Sequence, residues 1–208
     1  MSSLLIRGFV LGFAIAASPG PIFFLCLRRT LVRGRLYGLV SGLGVATADG
    51  FYAALAAFGV AALASTLVSG RRALALVGGV VLVVLGVRIL LERRKVLESE
   101  TAPTVRGLAW AYASTLGLTM TNPATIISFA ALAATLGLGG GGGLARPATL
   151  VAGVLAGSAS WWCALALTVS AMRARVTPGL VRGISTASGA VIVGLGMLAV
   201  VSAFQFAT

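Results

Sequence analysis

The chain has 208 residues, of which 59% are hydrophobic and 10% are charged, and its mean hydropathy is +1.06. An ordinary soluble domain carries about 25% charged residues, and a disordered chain needs low hydrophobicity, so both classes are excluded. Sixteen basic and four acidic residues give a net charge of +12. The basic residues lie in short clusters between apolar stretches. This pattern indicates that they orient the chain in a membrane and contact anionic lipid headgroups, and it argues against nucleic-acid binding.

Six apolar stretches are long enough to cross a bilayer, which takes about 20 residues. We therefore predict an all-α polytopic membrane protein with six transmembrane helices, at residues 4–27, 36–63, 73–91, 107–136, 147–172 and 183–204. A signal peptide over residues 1–20 is the alternative for the first stretch, and it is disfavoured because the apolar run continues past Pro21. The glycine-rich segment 137–143 predicts a flexible loop.

The basic residues predict the orientation of the chain. Twelve of the sixteen lie beside the ends of the first, third and fifth predicted spans, and four lie on the opposite side. Loops rich in Lys and Arg stay in the cytoplasm. We therefore expect both termini on the outer side of the membrane.

Prolines interrupt the first and fourth predicted spans at matching places. The first break is the SPGP motif at Ser18 to Pro21, and the second is Thr121-Asn122-Pro123. Pro21 and Pro123 are 102 residues apart, close to half of the 208-residue chain. This spacing predicts two three-helix repeats, residues 1–104 and 105–208. Because three is an odd number, the repeats must be inverted relative to one another, as in many transporters.

A second correspondence supports the repeats more weakly. Segments 79–86 and 189–196 begin and end with glycine, and five of their eight positions are identical. In so apolar a sequence, chance matches of this kind are common.

Each proline break is expected to start a new half-helix near the middle of the membrane. Ser18 and Asn122 precede prolines and are suitable N-caps. With inverted repeats the two N-termini face each other, and their free N–H groups suit an anion such as an amino-acid carboxylate. The alternative is a pair of structural kinks, healed by Thr119, Thr121 and the neighbouring helices.

Asp49 is the only acidic residue inside a predicted span. An Asp at the bilayer centre costs about 2.5–3.5 kcal/mol on insertion scales, so it must face the bundle interior or a wet cavity. It can bind a substrate ammonium group or carry a coupling proton. The alternative is a structural Asp that is hydrogen-bonded to a broken helix. The predicted substrate-binding residues are Ser18, Pro19, Gly20, Pro21, Asp49, Thr119, Thr121, Asn122 and Pro123.

Other residues narrow the chemistry. The chain has no histidine, and we predict no catalytic group, metal site or cofactor, and no enzyme activity. Cys26 and Cys163 lie in apolar spans and are interpreted as packing residues. The competing hypothesis is a membrane thiol–disulfide electron carrier, which a functional Cys26→Ser/Cys163→Ser double variant would dismiss. Trp161 and Trp162 are interpreted as packing residues, with a cavity-lining role as the alternative.

The first 65 residues carry a recognisable series of motifs, with Gly8-Phe9, the SPGP motif, Gly34-Arg35 and the glycines leading to Asp49. Together with Leu118 to Pro123, this series resembles the LysE/RhtB-type family of amino-acid exporters. The resemblance implies export of amino acids or their derivatives across the bacterial cytoplasmic (inner) membrane, driven by an ion gradient, with proton antiport and alternating access expected.

Two departures from the family pattern lie beside the breaks. Many relatives carry Asn where this chain has Ile22 and Lys where it has Ala124, so no relative's substrate is carried over. Export of another metabolite or ion stays open, and a non-transporting scaffold would leave Asp49 and the breaks without a purpose. The expected partners are a small-molecule substrate and the lipid bilayer, and a homodimer is allowed but not required.

Overall fold

The computed structural model describes residues 2–58, 70–91, 103–136, 144–172 and 177–205. Within these ranges the chain forms eight α-helices and no strand. They are α1 (Ser2–Ala16), α2 (Pro21–Arg33), α3 (Arg35–Ala57), α4 (Arg71–Leu91), α5 (Val105–Met120), α6 (Pro123–Leu136), α7 (Ala145–Met172) and α8 (Pro178–Gln205). The predicted loop at 137–143 and the end of the second predicted span, 59–63, lie outside the described residues.

Four helices are long and apolar enough to cross a membrane, and they correspond to α3, α4, α7 and α8. α1 and α2 make a fifth candidate span, a broken pair bent by 80°. α5 and α6 have 16 and 14 residues and are separated only by Thr121 and Asn122. The described residues thus form a polytopic helical protein with four or five candidate spans, and the six-span count stays a prediction.

Helix α3 lies at the centre of the bundle. Of its apolar 18-residue stretch, 61% is buried inside the protein, against 39% or less for the corresponding stretches of the other three long helices. It packs against α2, α5, α6 and α7. Small residues allow this crowding, because a Cβ on Gly42 would collide with the Trp162 side chain and one on Gly44 would lie 2.5 Å from the Tyr112 carbonyl oxygen.

Glycines also bring two pairs of outer helices into close contact. α1 meets α7, where a Cβ on Gly8 would lie 2.5 Å from the Leu150 carbonyl oxygen. α4 meets α8, where a Cβ on Gly79 would lie 2.8 Å from the Gly196 carbonyl oxygen. Small residues at such interfaces let helix backbones approach closely, which is a main source of helix association in membranes.

The span boundaries predict a loop for the basic cluster after the first predicted span, and this prediction is wrong. α2 continues through Arg28 and Arg29 to Arg33, and both Arg28 and Arg29 are buried. Gly34 alone connects α2 to α3, with a φ of 92° that an L side chain rarely adopts. The helix can continue because the Arg29 guanidinium finds hydrogen-bond acceptors on α3 and α5.

Candidate functional site

The first helix break separates α1 from α2 at residues 17–20. The predicted N-cap at Ser18 is wrong, because α2 begins at Pro21 with Gly20 as its N-cap. A residue before proline is held away from the helical region, and Gly20 is accordingly extended, at φ −152° and ψ −176°. The second proline of the SPGP motif therefore decides where the half-helix starts. Gly20 has no side chain to cap the N–H groups of this first turn.

The second break separates α5 from α6 at Thr121 and Asn122. The predicted N-cap at Asn122 is confirmed, since its Oδ1 accepts from the Ala124 N–H at 3.2 Å. Its Nδ2 donates to Thr125 Oγ1 at 3.1 Å. Proline at the first helical position and Asn at the cap therefore start α6 as the sequence predicts.

Backbone carbonyls at the second break are satisfied inside the protein. Pro123 has no N–H, so the Thr119 carbonyl accepts instead from the Asn122 N–H at 3.2 Å. The carbonyl of Met120, the last residue of α5, accepts from the Tyr52 hydroxyl at 2.5 Å. Tyr52 lies on α3, so the central helix itself helps to stabilise the break, as backbone polar groups in a membrane require.

A cavity of about 130 Å³ lies between the two breaks and α3; we call it the break cavity. The predicted site residues Ser18, Pro19, Gly20, Pro21, Asp49, Thr119 and Asn122 all line it. Thr121 does not, since it lines a neighbouring cavity instead. Pro123 begins α6 between two lining residues, Asn122 and Ala124. The N-terminal ends of α2 and α6 thus border one cavity.

Asp49 is 2% exposed and faces this cavity from α3. Its Oδ2 accepts a hydrogen bond of 2.6 Å from the hydroxyl of Ser158 on α7. Ser158 is fully buried. A carboxylate in this position is held by a neutral donor, so its negative charge, when present, is available to a cation in the cavity.

A family model described as LysE type translocator matches residues 13–203, a range that includes both breaks and Asp49. The chain belongs to the LysE type translocator family. It is therefore a multi-pass membrane transporter, as the resemblance of its motifs implied. No curated protein and no solved structure matches the chain.

The translocator's cavity also contains residues that sequence reasoning missed. Thr125 and Ser128 line it from α6, and their positions three and six residues after Asn122, on the same helix face, are the signal that could have found them. Trp162 lines it from α7, the role that the sequence left as an alternative. Ser158, the hydrogen-bond donor to Asp49, carried no signal, because nothing in the sequence distinguishes it from Ser160 two residues later.

The indole N–H of Trp162 is buried and has no hydrogen-bond acceptor among the described residues. A buried donor without a partner costs about 1–3 kcal/mol. The indole N–H of Trp161 is in the same state, so Trp162 is distinguished by the large apolar surface that it contributes to the cavity wall.

The two cysteines of the translocator are free, with Cys26 buried on α2 and Cys163 half-buried on α7. Neither lines the break cavity or its neighbour. The thiol–disulfide hypothesis therefore gains no support from the position of these side chains.

Arg29 makes further buried polar contacts between the helices. Arg29 is 6% exposed, and its guanidinium donates to Ser41 Oγ at 3.1 Å and to the Ala111 carbonyl at 3.0 Å. It donates further to Ser114 Oγ at 2.8 Å. These bonds connect α2 to α3 and α5, so the half-helix that follows the first break is anchored to the helix that precedes the second.

Proposed function

We propose that this translocator exports amino acids or amino-acid derivatives across the bacterial cytoplasmic membrane. The observation that carries the proposal is the composition of the break cavity, which has two helix N-termini and one buried carboxylate in its wall. An α-amino acid carries one anionic and one cationic group on neighbouring atoms. A cavity with donors for an anion and an acid for a cation complements that pair of charges.

The substrate carboxylate binds at the two half-helix ends. The first N–H groups of a helix lack intrahelical partners, and the helix dipole places partial positive charge there. Gly20 offers the N-terminus of α2 no side-chain acceptor. Asn122 uses its own Oδ1 on the Ala124 N–H, so the α2 end is the better anion site.

Asp49 has two roles in this mechanism that exclude each other at any one moment. When ionised, its carboxylate binds the substrate ammonium group. When protonated, it carries the proton that exchanges for the substrate, which gives proton antiport with alternating access. Ser158 donates to the same carboxylate and keeps it oriented in both states. Among the described residues Asp49 is the only acid, and the chain has no histidine.

Many alternating-access transporters are built from inverted repeats, and the proposed halves here are residues 1–104 and 105–208, in which α4 corresponds to α8. Glycine contacts support the correspondence. A Cβ on Gly79 would lie 2.8 Å from the Gly196 carbonyl oxygen, and one on Gly86 would lie 2.9 Å from that of Gly189. Aligning Gly79 with Gly189 and Gly86 with Gly196 exchanges these two contacts, as a two-fold axis through the crossing requires.

The proposed orientation of the chain in the membrane rests on its basic residues. The side that carries twelve Lys and Arg residues lies in the cytoplasm, and both termini lie outside. A reporter enzyme fused to the C-terminus tests this independently of transport. Activity of a periplasmic reporter supports the orientation, and activity restricted to a cytoplasmic reporter contradicts it.

The transport proposal is tested by counterflow in proteoliposomes, with a growth screen of an overexpressing strain against toxic amino-acid analogues to find substrates. We expect exchange by the wild type and at least a tenfold loss in Asp49→Asn, which removes the charge and the titrating proton. Leu43→Ala, at a position of the same helix that is 50% exposed, is the control and is expected to exchange normally. Wild-type exchange and unchanged pH dependence in a correctly inserted Asp49→Asn would contradict both roles of Asp49.

A further inference from the structure

A second cavity, of about 180 Å³, is lined by residues of both helix breaks and of α4 and α8; we call it the apolar cavity. α4 contributes Gly78, Gly79 and Leu82 to its wall, and α8 contributes Leu195 and Ala199. Among the described side chains that line it, none is charged. It therefore differs in chemistry from the break cavity, which contains Asp49.

The polar side chains of the apolar cavity are occupied with bonds of their own. Thr121 Oγ1 donates to the Gly117 carbonyl at 3.0 Å. The side-chain amide of Asn122 uses both its nitrogen and its oxygen in hydrogen bonds within the first turn of α6. The wall thus has little to offer a polar guest, and a charged group entering it would lose hydration without compensation.

The two cavities lie side by side and share a wall. Four residues line both of them, and they come from the two breaks: Pro21, Ile22, Asn122 and Ala124. Ile22 and Ala124 stand in the first turns of α2 and α6. A small molecule whose charged groups lie at the half-helix ends therefore has an apolar space directly beside them.

We propose that the apolar cavity receives the substrate side chain and that the preferred substrates are amino acids with uncharged aliphatic side chains. This rests on the proposed function of the break cavity, which binds the two charged groups. The volume is sufficient, because a dry apolar cavity of about 150 Å³ holds a molecule of benzene. Leu82, Leu195 and Ala199 are then residues that determine specificity, through contact with the side chain alone.

Discrimination in such a site follows from burial. Each methylene placed in an apolar pocket changes selectivity by about tenfold or more, so leucine is preferred over alanine. A Lys or Glu side chain would bring a charge into a cavity whose described lining residues offer no charged partner, and it is rejected. Small polar amino acids lose only the contribution of the apolar cavity.

The first test is competition counterflow in proteoliposomes of the full chain, with leucine, alanine, lysine and glutamate as the probes. We expect leucine to compete at least tenfold more strongly than alanine, and lysine and glutamate to compete least. Preference for lysine or glutamate would overturn this inference and leave the proposed function standing. Failure to exchange any amino acid would overturn both.

The second test fills the cavity. Ala199→Phe places a large side chain in it, whereas Leu198→Phe, at the neighbouring position that is 65% exposed, serves as the matched control. We expect Ala199→Phe to lower the leucine-to-alanine preference at least tenfold while alanine exchange persists, and the control to keep the wild-type ratio. An unchanged ratio in Ala199→Phe would mean that something else, such as a lipid chain, fills the cavity, and would overturn the inference.

A third variant covers the case in which Ala199→Phe does not fold. Leu195→Ala enlarges the same cavity from α8, and we expect it to raise the competition by phenylalanine relative to alanine by at least fivefold. If phenylalanine competes relative to alanine equally well in Leu195→Ala and in the wild type, the result would contradict the assignment of the apolar cavity to the substrate side chain.

Discussion

Ser158 on α7 donates a hydrogen bond of 2.6 Å to Asp49 on α3, and both side chains are buried, with Asp49 lining the break cavity. The bond joins the two helices at the one acidic residue of the described chain. A buried acceptor that loses its donor carries a desolvation penalty. The pair therefore links the packing of the bundle to the residue proposed to bind substrate and proton.

We expect Ser158→Ala to lower transport through the orientation of Asp49. The variant removes only the hydroxyl, and the energy of buried interhelical hydrogen bonds in membrane proteins averages about 0.6 kcal/mol and reaches about 1.7. Thermal unfolding in detergent should thus report a modest loss of stability, with a larger fall in counterflow.

A double-variant cycle with Asp49→Asn measures the coupling of the two residues. Transport losses that are less than additive identify Ser158 as a positioning residue for Asp49, and additive losses contradict that role. Ser160→Ala, on the exposed side of the same helix, is the control.

Asn122 and Thr104 allow the effect of an N-cap to be separated from the effect of the site. Both cap a helix through a side-chain oxygen, Asn122 on the Ala124 N–H and Thr104 on the Gly107 N–H at 3.1 Å. Replacing either by Ala is expected to cost about 1 kcal/mol of unfolding free energy. Asn122 lines both the break cavity and the cavity beside it, and Thr104 lines neither of these two, so only Asn122→Ala should also weaken substrate binding, by about fivefold or more.

Equal transport by Thr104→Ala and Asn122→Ala, at equal stability, would mean that Asn122 acts as a cap alone. Asn122→Asp sharpens the comparison because it keeps the capping oxygen. We expect it to retain stability and to lose transport, since it adds a negative charge where the substrate carboxylate is proposed to bind.

The breaks could be read from the sequence because proline acts locally. The missing N–H and the restriction on the preceding residue depend on two or three neighbours along the chain, and Asn122 was accordingly assigned correctly. Ser18 was assigned wrongly because Gly20, not Ser18, precedes the proline that starts α2. The error concerns one local rule and not the position of the break.

The partners of the buried polar residues could not be read from the sequence. Ser158 lies 109 positions from Asp49, and Ser114 lies 85 positions from Arg29. Which serine faces which helix depends on how α3, α5 and α7 pack. Counting basic residues for topology also treats Arg29 as a loop residue, whereas the contacts made by its guanidinium keep it inside the bundle.

Arg29 should be essential for the folded state because its guanidinium connects three helices. Removing it in Arg29→Ala takes a charged donor from Ser41 Oγ on α3 and from the Ala111 carbonyl and Ser114 Oγ on α5. Hydrogen bonds to a charged group contribute about 1.5–3 kcal/mol each, so we expect a loss of at least about 3 kcal/mol. Thermal unfolding and the yield of monodisperse protein measure it.

Lysine is not expected to rescue this position, because its single ammonium cannot reproduce the fork of donors. Arg35→Ala is the control, since Arg35 is exposed at the start of α3 and surface substitutions usually change stability by less than about 0.5 kcal/mol. Equal stability of Arg29→Ala and Arg35→Ala would contradict a structural role for the buried guanidinium.

The packing of α1 against α7 is tested by adding a single carbon atom. A Cβ on Gly157 would collide with the backbone of Phe9, whereas a Cβ on Gly194 would meet no atom within 4 Å. Gly157→Ala forces the two helix backbones apart, and we expect it to lower stability by about 1–3 kcal/mol. Gly194→Ala has free space and a better helix former, so it should be neutral or stabilising by up to about 1 kcal/mol. Opposite shifts of the unfolding temperature in detergent are the expected result, and a Gly157→Ala protein as stable as wild type would contradict close packing of α1 against α7.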